Sequence, residues 1–140
     1  MRLHSPLALA SAAILSATLA LPAQALEGTP MTPEAFEAYV TGQTLTFGVA
    51  GQPYGVEQYL PGRRVIWAFV GEECREGDWF PVGDQICFEY DNEPGRLHCW
   101  TFFEGSEGLM ARAEGLGGTE LVEVQRSPEP MYCPGPDVGA

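Results

Sequence analysis

From residue 44 to residue 125, apolar and polar positions alternate in short runs that glycine, proline and asparagine repeatedly interrupt. A period of two over four to eight residues is the pattern of a strand with one buried face. The runs 44–47, 54–60, 64–69, 77–82, 84–90, 97–103, 108–112 and 120–125 fit it. About eight short strands at such spacing predict a mainly β fold. We expect a small antiparallel meander forming a barrel or a sandwich. Pro61-Gly62 marks one tight turn and Asn92-Glu93-Pro94-Gly95 another. Pro81 breaks the 77–82 run and predicts an edge or bulged strand there.

A single helical segment precedes the strands. Thr32 is a capping residue, Pro33 suits the first helical position, and Glu34 faces the positive end of the dipole. Met31 and Phe36 have the spacing of a hydrophobic staple, Phe36, Tyr39 and Val40 share a face, and Gly42 can end the segment. So short a helix does not persist alone and must lie on, or plug, a sheet.

Centring the second turn on Glu93 sets Cys87 opposite Cys99, Phe88 opposite His98 and Ile86 opposite Trp100. Alternation then places Ile86, Phe88, Tyr90, His98, Trp100 and Phe102 on the core face, with Cys87, Glu89, Cys99 and Thr101 behind them. This register favours a Cys87–Cys99 disulfide with Cys74 and Cys133 left to pair. The alternative, Cys74 with Cys87 and Cys99 with Cys133, stays open.

Composition adds a compartment. Arg2, an apolar run from 7 to 21 and Ala23-Gln24-Ala25 have the order of a secretory signal, so residues 1–25 read as a signal peptide. A single β domain is expected over 26–126 and an irregular Pro/Gly-rich tail over 127–140. The expected location is periplasmic or secreted, where an even cysteine count reads as disulfides. No membrane span is expected once the signal is removed, because the apolar run falls short of about 20 residues. Beyond residue 25 the chain has no lysine, and six arginines against nineteen acids leave a net charge of −13. Such a surface repels phosphate backbones, which argues against nucleic-acid partners.

Gly55-x-Glu57-x-x-Leu60, Trp67, Cys74-x-x-Gly77-x-Trp79, Ile86-Cys87-Phe88-x-Tyr90 and Cys99-Trp100-x-Phe102 resemble a family of small exported proteobacterial proteins of unknown function. The likeness covers most of 31–103 and implies a calycin-like barrel, without an activity to carry over.

No P-loop, Rossmann glycine set, G-x-S-x-G, H-E-x-x-H or haem-attachment motif occurs. Nothing in the order of residues assembles a nucleophile, a base and an oxyanion site, so the chain reads as non-enzymatic and without a cofactor. Metal ligation is not expected either: no C-x-x-C pair occurs, and Glu72, Glu73, Glu76 and Asp78 lack calcium-loop spacing. The acids read as a solvated loop. Glu57 reads first as the cross-strand ion-pair partner of Arg64, and second as a group turned into a barrel lumen to orient a ligand. His98, the one histidine beyond residue 25, reads as a packed residue.

Trp67, Trp79 and Trp100 either fill a barrel or line a cavity in it. The leading expectation is a non-catalytic binding module for a small apolar ligand, with Trp67, Trp79, Trp100, His98 and Glu57 as candidate contacts. The alternative is a protein-interaction module, such as an inhibitor of an envelope-attacking hydrolase, that uses its acidic loops on an envelope protein. An enzyme built on dispersed carboxylates ranks behind both, and its mark would be a strongly raised carboxyl pKa in a cleft.

Overall fold

The computed structural model describes residues 28–113 and 118–134. The signal peptide expected over 1–25 and the last residues of the tail lie outside them. The order is α1 (Pro33–Val40), β1 (Thr44–Val49), β2 (Gln52–Leu60), β3 (Arg64–Phe69), β4 (Arg75–Val82), β5 (Gln85–Tyr90), β6 (Leu97–Gly105), β7 (Gly108–Ala113) and β8 (Glu120–Ser127). Each strand pairs antiparallel with the next, and β8 returns to β1 to close a barrel. Of the two architectures that the alternation allows, barrel and sandwich, the chain adopts the barrel.

The local signals act as their chemistry requires. Thr32 caps α1 by accepting from the Ala35 N–H at 3.2 Å, and the chain leaves the helix through Gly42 at φ 80°. Phe36 and Val40 face inward at 0% exposure. Phe36 packs against Tyr59, Trp79 and Phe102, with ring centroids 5.8, 5.1 and 4.4 Å away. The helix therefore stoppers one end of the barrel. Two polar clasps hold it there. Arg63 pairs with Glu37 at 3.0 Å, and the Tyr39 hydroxyl donates to Glu123 at 2.8 Å beneath the Arg126 guanidinium.

Both disulfides follow the favoured pairing, Cys87–Cys99 and Cys74–Cys133. Cys87 and Cys99 are direct partners across β5 and β6, in the register that also sets Ile86 on Trp100 and Phe88 on His98. The described tail beyond Ser127 is irregular. It is tied to the barrel by Cys133, by the Thr44 hydroxyl on the Glu129 carbonyl (2.7 Å), and by the Met131 N–H on Gln58 Oε1 (3.2 Å).

Two expectations are corrected. β4 is no edge strand, since β3 and β5 both pair with it. Pro81 is tolerated because the β3 ladder stops at Arg64↔Asp78, after which the Trp79 N–H reaches only the Arg63 carbonyl. Donors two residues apart point the same way along a strand. The donor that Pro81 lacks would therefore face a side where β3 has already ended.

The second correction concerns Glu57. The β2–β3 hairpin turns through Pro61, Gly62 and Arg63, the last two with φ 76° and 62°, so Leu60 pairs with Arg64 and Glu57 with Trp67. A two-residue turn would have set Glu57 diagonal to Arg64. One residue more reverses the face. Arg64 instead meets Glu76 on the outside at 3.6 Å.

Candidate functional site

A cavity of about 320 Å³ occupies the half of the barrel away from the helix. Its wall is aromatic: Phe47, Tyr54, Trp67, Phe88, Tyr90 and Trp100 all line it. It opens to solvent at the barrel end where Tyr54, Arg96 and Thr119 are exposed. Tyr54, Trp67 and Phe69 form one connected group of rings, with centroids 5.3 to 6.3 Å apart.

Two glycines shape this wall. A Cβ at Gly55 would run into the indole of Trp67, and one at Gly77 would strike the Glu89 carbonyl and the Tyr90 ring. Glycine is needed at both places so that a ring can lie flat over a strand. This is the physical content of the Gly55-x-Glu57 and Gly77-x-Trp79 groups read from the sequence.

Glu57 lies at the inner end of the cavity at 4% exposure. Its two oxygens are held separately, Oε2 accepting from the Tyr59 hydroxyl at 3.0 Å and Oε1 from the Tyr90 hydroxyl at 2.9 Å. Among the described residues it has no ion-pair partner. Burial pushes its carboxyl up to about 7 even though both hydroxyls favour the charged form. Desolvation raises both tyrosines as well, and the adjacent carboxylate adds to it.

The sign of the linkage follows. Between about 4.5, the ordinary value, and about 7 the folded protein holds a proton on Glu57 that the unfolded chain has lost. Stability therefore falls as pH rises through that window, by up to about 3 kcal/mol. Glu123 acts in the opposite direction and lower down. Burial raises its carboxyl, but Arg126, the Leu109 N–H and Tyr39 together bring it below the usual value. Urea unfolding of wild type and Glu57→Gln at the two ends of the window checks this. The variant should lose most of the decline, and a decline that is identical in both proteins would remove Glu57 as its source.

The structure brings together four of the five candidate contacts. Trp67, Trp100, His98 and Glu57 line the cavity. Trp79 does not. Its ring is buried at the stoppered end, edge-on to Phe36 and under Arg63 at 4.8 Å. His98 lies at hydrogen-bonding distance from Glu93, 3.2 Å away, and Arg96 pairs with the same carboxylate at 3.0 Å. Arg75 was missed because the run of acids around Cys74 makes residues 72–78 look like one loop. β4 in fact begins at Arg75, opposite Trp67, which turns its side chain to the lumen. Tyr90 was legible as a core residue, but the bond from its hydroxyl to Glu57 needs the closed barrel. No family model, curated protein or solved structure matches the chain.

Proposed function

We propose that this protein is an exported, non-catalytic binding module that takes a small, mostly apolar ligand into the open half of its barrel. The observation that carries the reading is the aromatic-walled cavity of about 320 Å³ with one buried carboxyl at its inner end. Ligand sites characteristically combine an apolar wall with a few fixed polar groups, at volumes of roughly 300–1,000 Å³. The two disulfides suit an oxidising compartment and support the export reading, together with the signal-like residues 1–25. Glu57 is the one acid lining the cavity among the described residues, a single polar anchor in an apolar wall.

A carboxyl titrating near 7 in a shielded cavity also suits proton transfer, which gives a second reading, a general acid or base catalyst. Native mass spectrometry of the protein purified from its own host separates the two. Binding predicts a co-purified small molecule that is recovered unchanged and displaced by unfolding. Turnover of that molecule by wild type but not by Glu57→Gln would favour catalysis. A captured protein partner, with no small molecule, would favour the interaction module instead.

A further inference from the structure

Building on the binding reading, we infer that the ligand carries an anionic group, of the carboxylate class, that pairs with Arg75 while its apolar body lies along Trp67. Two observations support this. The first is that Arg75 has no counterion among the described residues. The other five arginines beyond residue 25 are each engaged: Arg63 with Glu37, Arg64 with Glu76, Arg96 with Glu93, Arg112 with Glu120 and Arg126 with Glu123. Among the described residues Arg75 makes no ion pair and no side-chain hydrogen bond, and its guanidinium rests over the Phe69 ring at 5.2 Å. That contact leaves its fork of donors, suited to a bidentate carboxylate, without an acceptor among the described residues.

The second observation is where Arg75 stands in the cavity. The chain carries nineteen acids, yet Glu57 is the one acid lining the cavity among the described residues, and of the basic groups there Arg96 and His98 already share Glu93. That leaves Arg75 as the lining cation placed to draw an anionic group inward. Glu57 does not cancel Arg75. The ladder sets Glu57, Trp67 and Arg75 in one row across β2, β3 and β4. The indole thus stands between two backbones about 10 Å apart. Each Glu57 oxygen is already taken by a tyrosine hydroxyl. An anionic head at Arg75, an apolar body on Trp67 and a far end near Glu57 match this row.

The test uses three probes with one apolar body and different charge: naphthoate, naphthylmethanol and naphthylmethylamine. Each is titrated into the full mature chain while tryptophan fluorescence and calorimetric heat are read. Naphthoate should bind tightest. Arg75→Gln should weaken it about tenfold, the loss expected for a desolvated charge-assisted pair, while changing naphthylmethanol by less than about twofold. The ranking of probes on the wild type needs no variant and guards against a folding defect in Arg75→Gln. Equal affinities, a preference for the amine, or naphthoate binding indifferent to Arg75→Gln would overturn the anion inference and leave the cavity reading standing. If none of the three binds, both fall.

Discussion

Replacing Phe36 with alanine should cost about 3–5 kcal/mol, the range for truncating a fully buried phenylalanine. The ring is at 0% exposure and touches three other aromatic rings, from β2, β4 and β6. Its loss opens a void between the helix and the barrel that rigid strands cannot fill by moving. Chemical denaturation of Phe36→Ala beside Tyr39→Phe, which keeps the ring and loses only the bond to Glu123, tests whether packing or the polar clasp holds the stopper. A Phe36→Ala penalty under about 1 kcal/mol would mean that α1 is not integral to the barrel.

The second large effect belongs to the Cys74–Cys133 bridge. It joins residues 59 apart, and the chain-entropy relation gives about 4 kcal/mol for closing such a loop. Cys74→Ser with Cys133→Ser should therefore lower stability by a comparable amount, and free the tail from the outer surface beside β1 and β2. Among the described residues, the hydrogen bonds of Glu129 with Thr44 and of Met131 with Gln58 would remain to hold that segment. Unfolding by urea, together with protease susceptibility of the tail, reads both consequences. A double variant as stable as the wild type, with its tail still protected, would show that those contacts suffice.

The sequence made the strands legible because each has a period-two pattern bounded by turn residues, and it made the Cys87–Cys99 register legible because that turn has a well-marked centre. Arg64–Phe69 is recovered at its observed ends, and Thr32 caps the helix as its side chain allows. What failed was parity across one turn and height along the barrel axis. Arg63 adopts a positive φ and adds a third residue to the β2–β3 turn, and that single residue moves Glu57 from an outside pair with Arg64 to the lumen. Trp79 points inward as alternation requires. How far β4 slides past β3 is set by the barrel's stagger, which no local pattern encodes, and that slide carries Trp79 to the stoppered end.

The seam between β1 and β8 imposes an order of events. Every other ladder joins neighbours in the chain, whereas this one joins Thr44 to Ser127 and cannot start until the final strand has been synthesised. Until then the growing meander presents two raw borders to any neighbouring polypeptide, which makes its lone-strand ends the vulnerable phase of biogenesis. Cys87 and Cys99 sit within one hairpin and can join during that interval, while Cys133 emerges only after β8 and can serve as a latch on the finished wall.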